Sequence, residues 1–239
     1  MAYRQILSVG NTKTRKGEKL GVLTGILHLA PGKLSGIQVC GSASVGCLAA
    51  CLNTAGRGGM TMIQQRRIAK TRWLFDNRSE FMDYLVWSIK AIERKAIRNG
   101  MKPAIRLNGT SDLPWEKFWC KVNGVDYRNV FEAFPHIQFY DYTKIAKRAV
   151  KWARGEMPEN YHLTFSASES NESQCEIVAA AGGNIAVVFD KLPETWWNKP
   201  VINGDNSDIR FRDPSGVVVG LTIKGKAKYD DSGFVRRVA

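Results

Sequence analysis

Apolar positions along the chain follow two spacings, one typical of helices and the other of buried strands. Between Phe81 and Ala96 apolar residues recur every three or four positions, which predicts a helix from Asn77 to a C-terminal stop at Gly100. Short apolar runs then alternate with helical patterns. The runs that predict strands are residues 104–109, 137–142, 161–166 and 185–189, and the helical patterns between them are residues 125–134, 143–155 and 172–181.

This repeated order of strand and helix predicts βαβ units around a mostly parallel sheet. The expected fold class is α/β, in the form of a partial or distorted (β/α) barrel with mostly parallel strands. Residues 217–224 are a last apolar run between turns, which predicts an edge strand or hairpin as a C-terminal β addition. No linker or internal repeat divides the chain, so we expect a single α/β domain over residues 1–239.

The chain before the long helix gives weaker patterns. Residues 1–19 are polar and charged, which predicts a basic N-terminal arm. Residues 20–30 are an apolar run that predicts a strand, and residues 37–40 predict a second, shorter strand. Residues 47–55 fit a short helix that ends at the glycines that follow.

Charge along the chain is uneven. The 239 residues include 35 Lys and Arg against 22 Asp and Glu, a formal net charge of +13. Residues 1–100 hold 16 basic and 5 acidic residues, whereas residues 101–239 hold 19 and 17. A basic portion joined to a nearly neutral remainder is typical of a protein that binds a polyanion, so we expect nucleic acid or a nucleotide as a partner. The alternative is that the charge only favours solubility.

Two classes of location are disfavoured by the apolar pattern. No run of about eighteen apolar residues is present, so we expect no membrane-spanning helix. The first residues lack the apolar core of a signal peptide, which predicts a protein that stays in the cytoplasm of the cell that makes it.

The sharpest chemical signal is a group of three cysteines, Cys40, Cys47 and Cys51, within twelve residues of a five-cysteine chain. An odd number of cysteines in a reducing cell argues against a disulfide framework, and a tight thiol group there is typical of metal binding. Three thiolates can hold three irons of a four-iron–four-sulfur (4Fe-4S) cluster and leave one iron open for S-adenosylmethionine. Alternatively, His28 completes a structural zinc site, or the cysteines are ordinary core residues.

Polar loops follow the predicted strands. Because the carboxyl ends of parallel strands share one edge of a sheet, acids in these loops are expected to face one site. The acids at these positions are Asp112, Asp141, Glu169 and Asp205. Gly109 would allow the backbone to approach a ligand closely, although a tight turn explains it equally well.

Several strings of residues together resemble the bacteriophage family called gene product 88. The strings are LSVGNTKT (7–14), CxxxCLNTAGR (47–57), RLNGTSD (106–112), FYDYTK (139–144), NYHLTFS (160–166) and GDxxD (204–208). The resemblance covers nearly the whole chain and implies a phage-encoded protein in the cytoplasm of an infected bacterium. It implies no activity and therefore no catalytic residues.

A second, weaker similarity is to radical S-adenosylmethionine enzymes, which share the order of strand, three-cysteine loop, helix, and strand with a glycine-containing polar loop. The cysteine spacing differs from that of those enzymes, and no Gly-Gly-Glu motif follows the second strand. On this hypothesis the cluster ligands are Cys40, Cys47 and Cys51. The candidate cofactor contacts are Asn108, Gly109, Ser111 and Ser166, and the candidate catalytic residues are Asp112, Asp141, Lys144 and Glu169.

Two other hypotheses remain open. One is a non-catalytic nucleic-acid-binding protein with a zinc-stabilised cysteine loop, which predicts salt-sensitive binding. The other is a metal-dependent nuclease that uses carboxylates for two divalent ions and requires them to converge. Its ligands would be Asp112, Asp141, Glu169, Asp205 and Asp208.

Overall fold

The computed structural model describes residues 5–10 and 12–238. A large sheet and seven helices form most of it. The strands are β1 (Leu7–Ser8), β2 (Val22–Leu27), β3 (Lys102–Arg106), β4 (Cys120–Val122), β5 (Val125–Tyr127), β6 (Gln138–Thr143), β7 (Tyr161–Ser166), β8 (Ile185–Phe189), β9 (Thr195–Trp196), β10 (Lys199–Asn203), β11 (Val218–Thr222) and β12 (Val235–Arg236). The helices are α1 (Thr12–Glu18), α2 (Val45–Ala49), α3 (Thr61–Asp76), α4 (Arg78–Arg98), α5 (Val130–Ala133), α6 (Ala146–Ala153) and α7 (Glu172–Ala180).

Ten strands form one open sheet in the order β1-β2-β3-β6-β7-β8-β11-β10-β9, with β12 paired to the carboxyl end of β8. All pairs from β2 to β10 are parallel, and the short strands β1 and β9 are antiparallel at the two edges. The hairpin of β4 and β5 lies outside this sheet. The prediction of an α/β fold with a mostly parallel sheet is therefore confirmed, and the sheet is not closed.

The crossover helices α4, α6 and α7 pack against the same face of the sheet. Residues Tyr161, Leu163 and Phe165 alternate along β7 and point to that face. The first two belong to the apolar cluster that includes α4, and the third belongs to the cluster that includes α6 and α7. Burial of these clusters is the main source of stability for the sheet.

The other face of the sheet is more polar. Tyr140 on β6 packs there with Val22, Ala104 and Ile209. Residue Ile209 belongs to a segment that follows β10 and includes a 3-10 turn at Arg210–Arg212. This segment covers the face opposite the helices, so the sheet is buried on both sides, as parallel sheets usually are.

Local signals explain the predicted helix α4. The Asn77 side chain accepts a hydrogen bond from the Glu80 N–H at its beginning, and Gly100 takes a positive φ of 66° just after its end. The strand patterns at residues 137–142, 161–166 and 185–189 are also confirmed as β6, β7 and β8, with bounds within one residue.

Three local predictions are wrong, and one helix was not predicted. Residues 37–40 form bends and irregular backbone, and 125–127 form a strand because Asn123 and Gly124 both take positive φ in a tight hairpin turn. Helix α3 was not predicted, since buried Arg67 and Thr71 interrupt its apolar face. Strand β11 lies inside the sheet between β8 and β10, so it is neither an edge strand nor part of a hairpin.

The predicted N-terminal arm is folded onto the sheet where it is described. Ile6 and Leu7 are buried in the main apolar cluster, and α1 packs against β2 through Gly17. Residues 1–4 and 11 lie outside the described residues, so the prediction for them is not addressed.

Candidate functional site

A cavity of about 250 Å³ opens at the carboxyl edge of the sheet, where β3, β6 and β7 end. Its walls come from the loops after these strands, from α2 and its flanking residues, and from the segment between β11 and β12. Parallel strands bring the loops that follow them together at this edge. Residues from distant parts of the sequence therefore share one cavity.

All three clustered cysteines line this cavity. The Cys40 thiol donates to the Thr110 carbonyl oxygen at 3.7 Å, and Cys51 Sγ accepts from the Asn53 N–H at 3.5 Å. Burial raises the pKa of each of these thiols, that of Cys40 to about 11. Each thiol is therefore protonated at neutral pH unless a cation binds it.

Glu169 holds the cysteine helix α2 in position. Ser44 caps this helix, because its Oγ accepts from the Cys47 N–H at 3.2 Å. The same hydroxyl donates to Glu169 Oε2 at 2.7 Å, and the Gly46 N–H donates to Oε1 at 2.8 Å. The Glu169 carboxylate does not line the cavity and instead fixes the helix that carries Cys47.

Asn108 organises the loop after β3. Its Oδ1 accepts hydrogen bonds from Ser111 Oγ at 2.8 Å, the Leu113 N–H at 2.9 Å and Trp115 Nε1 at 3.1 Å. Its Nδ2 donates to the Leu113 carbonyl oxygen at 3.0 Å. The polar atoms of the Asn108 side chain are thus engaged within the loop. A ligand would therefore contact the loop's main chain or neighbouring side chains.

Gly109 allows the same loop to lie against β2. A Cβ at this position would lie 2.6 Å from both Ile26 Cγ2 and the Leu27 carbonyl oxygen. The Gly109 N–H donates to that carbonyl at 3.0 Å. Close packing against β2 therefore explains the glycine, which also lines the cavity.

Asp112 lines the cavity and is ion-paired. Arg148 Nη1 donates to Asp112 Oδ1 at 3.0 Å, and the Lys144 N–H donates to Oδ2 at 2.8 Å. The guanidinium of Arg148 also makes two 2.8 Å hydrogen bonds to Glu116. This buried network fixes the loop after β3 to the start of α6.

Asp141 is fully buried and does not line the cavity. Its Oδ1 accepts from the Asn108 N–H at 2.6 Å, and its Oδ2 accepts from the Tyr161 hydroxyl at 3.0 Å. Burial raises the pKa of Asp141 to about 7. The structure therefore places Asp141 beneath the loop, as a support for Asn108.

Lys144 brings a buried cation to the cavity. Its Nζ donates to the Ser166 carbonyl oxygen at 3.2 Å, to Ser166 Oγ at 3.0 Å and to the Ala167 carbonyl oxygen at 2.8 Å. No described carboxylate forms an ion pair with it, and the ammonium lies 5.2 Å from the centre of the Phe234 ring. Because the ammonium already donates to three oxygens, Lys144 would act on a ligand mainly through its positive charge.

Arg106 lines the cavity at the last position of β3, although the sequence patterns did not predict it as a site residue. Its Nη1 donates to the two Asp208 carboxylate oxygens at 3.1 and 3.4 Å, and the Tyr140 hydroxyl donates to Oδ2 at 3.2 Å. The guanidinium also lies over the Tyr142 ring, 4.8 Å from its centre. An arginine inside an apolar strand pattern is the signal that could have found it, because a buried cation requires partners.

The structure brings most of the predicted site residues together and separates two of them. Asp141 and Glu169 lie beside the cavity and support its walls. The predicted residues that line it are Cys40, Cys47, Cys51, Asn108, Gly109, Ser111, Asp112, Lys144 and Ser166.

The candidate carboxylates do not converge on a common ion. In residues 5–10 and 12–238, no three His, Cys, Asp or Glu side chains are arranged to hold a metal ion. The carboxylates have separate partners instead: Asp112 with Arg148, Asp141 with Tyr161, Glu169 with Ser44, Asp205 with Lys224, and Asp208 with Arg106.

His28 lies at the end of β2 and does not line the cavity. Its Nδ1 is 3.2 Å from Ser8 Oγ. Burial, together with the nearby charges of Arg67 and Lys70, lowers the pKa of His28 to about 3. The structure therefore gives no geometric support to His28 as a fourth ligand beside the three cysteines.

The fold and the cavity together define an α/β protein with a thiol-lined site at the carboxyl edge of an open parallel sheet. A family model described as Gene product 88 matches residues 5–238. The chain therefore belongs to this bacteriophage family, and the resemblance of its sequence strings is confirmed.

The remaining comparisons give no further likeness. Neither the curated proteins nor the solved structures contain a match to this chain. A likeness to radical S-adenosylmethionine enzymes is thus not shown. Among the described helices, none has both the length and the apolar character needed to cross a membrane.

Proposed function

We propose that this protein is an iron–sulfur enzyme of the radical S-adenosylmethionine type, which acts on a nucleotide or nucleic acid in the cytoplasm of the infected bacterium. The proposed ligands of its 4Fe-4S cluster are Cys40, Cys47 and Cys51. One observation carries the proposal: these three thiols, and neither of the other two cysteines, line a single cavity at the carboxyl edge of the sheet.

The donor set fits a cluster better than a single ion. In a four-iron cluster each thiolate binds a different iron, so the thiols need to surround a cavity and not to meet at one point. Among the described residues no group of side chains is arranged to hold a single ion, so the zinc hypothesis has no geometric support. Three cysteines also leave one iron without a protein ligand, as S-adenosylmethionine chemistry requires.

The residues around the cavity have separate tasks in this proposal. When bound and reduced, the cluster supplies the electron for reductive cleavage of S-adenosylmethionine. Lys144 brings a buried ammonium to the same cavity as Cys47, where a positive charge favours an anionic ligand, although burial lowers the pKa of this side chain. Asp112 presents a carboxylate whose position is fixed by Arg148, and Glu169 positions the helix that carries Cys47.

We also interpret the open sheet as a partial barrel. From β2 to β11 the order of strands in the sheet follows their order in the chain, and α4, α6 and α7 pack on one face. Right-handed crossovers that always advance in one direction curve a sheet around its other face. In this interpretation the cavity is the mouth of the barrel, where enzymes of such folds hold their active sites.

Reductive cleavage of S-adenosylmethionine tests the proposal. Protein loaded with iron and sulfide without oxygen, then reduced with dithionite, is expected to form methionine and 5′-deoxyadenosine. Cys47→Ala is expected to abolish both products, whereas Cys175→Ala, a buried cysteine outside the cavity, is expected to keep them. Iron-loaded wild-type protein that forms no more methionine than Cys47→Ala would refute the radical type of chemistry.

A further inference from the structure

The chain segment that carries the cysteine loop is basic. From Lys19 to Phe75 the sequence contains seven Lys and Arg residues and no Asp or Glu. This segment includes Cys51 and Leu52, which line the cavity, and Arg57, which is exposed just beyond them. One positive charge of this segment, that of Arg57, therefore lies next to residues that line the cavity.

A second basic segment meets the first across the rim. Residues Gly225–Tyr229 form a 3-10 turn in which Ala227 lines the cavity, while Lys226 and Lys228 on either side of it are exposed. A Cβ on Gly225 would lie 3.0 Å from Ala55 Cβ, so the two segments are in direct contact. We call the exposed side chains of Arg57, Lys226, Lys228 and Tyr229 the basic rim.

The basic rim also contains an exposed aromatic ring. Tyr229 is 74% exposed, and the ammonium of Lys228 lies 4.7 Å from the centre of its ring. Two acids follow: Asp230 accepts hydrogen bonds from Ser232 Oγ and the Val235 N–H and so is engaged by its own turn, whereas Asp231 is exposed. An exposed ring beside cations matches what single-stranded nucleic acids bind, because bases stack on rings and phosphates pair with cations.

We propose that the basic rim binds the phosphate backbone of a single-stranded nucleic acid, with Tyr229 stacking on one of its bases. This inference rests on the proposed function only for the reaction of the bound strand with S-adenosylmethionine chemistry, since strand binding itself requires no cluster. It narrows the substrate from nucleotides in general to a polymer, whose phosphates remain outside the cavity at the rim.

The size and place of the cavity favour a single strand over a duplex. A volume of about 250 Å³ lies below the usual range for ligand sites, so a nucleic-acid strand cannot enter the cavity as a whole and remains at the rim. A base inside a duplex cannot reach a concave site without leaving the stack, and unstacking costs free energy. A strand that is already unpaired avoids this cost.

The salt dependence of strand binding tests the proposal. The probe is a fluorescent single strand of about 20 nucleotides, titrated with the full chain carrying Cys47→Ala, so that no cluster is needed. The double variant Lys226→Glu/Lys228→Glu is expected to weaken binding at least about tenfold at low salt. Its slope of log K against log salt is expected to fall by about 1.4, the value for two lost phosphate contacts on a single strand.

A matched pair of charge reversals provides the control. Arg94 and Arg98 are exposed on α4, whose last turn leads into the amino end of β3, at the opposite edge of the sheet from the cavity. Arg94→Glu/Arg98→Glu changes the net charge by the same amount and is expected to weaken binding less than about twofold. Tyr229→Ala is expected to weaken binding about tenfold, as the loss of one stacked base predicts.

Three results would overturn the inference: no binding of the single strand by the Cys47→Ala chain at low salt, equal losses in the two charge-reversal pairs, or tighter binding of the matching duplex. Failure of the iron–sulfur proposal gives a different pattern. In that case the chain shows no iron and no S-adenosylmethionine cleavage, while strand binding still depends on Lys226, Lys228 and Tyr229.

Discussion

Asn108 and Asp141 show that a polar residue at a strand end is not necessarily available to a ligand. Asp141 and Asn108 are polar residues at strand ends, where catalytic groups are often found. In the structure they bind each other and hold the loop after β3, because each polar atom found a partner within the loop and its support. The sequence pattern predicted both as site residues, but in the structure only Asn108 lines the cavity, and the pattern could not show which of their atoms are already engaged.

His162 leads to a prediction about stability against pH. Its ring packs on Trp152 at 4.4 Å between ring centres, and burial, with the nearby charge of Arg210, lowers its pKa from 6.5 to about 4. Between these two values the unfolded chain binds a proton that the folded chain excludes. Folding stability is therefore expected to fall as the pH drops from 6.5 to 4, by about 3 kcal/mol from this residue.

Denaturant unfolding of His162→Gln and wild type at several pH values checks this prediction. The variant is less stable at pH 7 for lack of packing, but its stability should decline less steeply between pH 6.5 and 4. Parallel curves for the two proteins across this range would contradict the burial of an uncharged imidazole at this position.

At the scale of elements, the cysteine helix α2 depends on its contact with the C-terminal segment. A Cβ on Gly46 would lie 2.8 Å from Phe234 Cβ and would also clash with Ser232. Helix propensity alone predicts that Gly46→Ala raises stability by about 0.5–1 kcal/mol, whereas the clash with Phe234 and Ser232 predicts a loss. The sign of the change in stability therefore distinguishes helix propensity from packing. Gly46→Ala is expected to displace α2 and lower stability by about 1–3 kcal/mol.

Gly41→Ala is the matched control, because a Cβ at this position meets no heavy atom within 4 Å. Chemical unfolding should show a loss for Gly46→Ala and little change for Gly41→Ala. Iron content after loading should fall in the first variant only. A stabilised Gly46→Ala protein would show that α2 does not pack against Phe234 as described.

Elements were predictable where local pattern and tertiary environment agreed. Strand β7 matches its apolar run because both of its faces are covered. Helix α3 was missed because Arg67 and Thr71 face inward, where Arg67 binds the Asn53 side chain and Thr71 donates to the Arg67 carbonyl oxygen. The Asn123-Gly124 pair is typical of a tight hairpin turn and could have predicted β4 and β5, but the apolar spacing around it favoured a helix.

At the scale of the whole molecule, the cavity follows from topology. Parallel strands in chain order place the ends of β3, β6 and β7 side by side, so Asp112, Lys144 and Ser166 meet although more than fifty residues separate the first from the last. This gathering was predictable from strand order alone. The partners that engage each side chain were not, because they depend on packing between segments such as the 3-10 turn at Gly225–Tyr229.

The whole-molecule account also explains the uneven charge. The acid-free stretch that raises the net charge to +13 is the same stretch that carries the three cysteines. Within this stretch Arg57 lies next to Cys51 and Leu52, which line the cavity, and a positive charge there suits an anionic ligand. The nuclease hypothesis lacks such a geometric basis, since its carboxylates are held apart by separate partners.

Metal content, measured together with the visible spectrum of protein purified without oxygen, tests the central claim most directly. The account predicts a brown protein with about four irons per chain, reduced to little or none in Cys40→Ala, Cys47→Ala and Cys51→Ala and retained in Cys120→Ala. One zinc per chain with no colour, or no metal at all after loading with iron and sulfide, would contradict it.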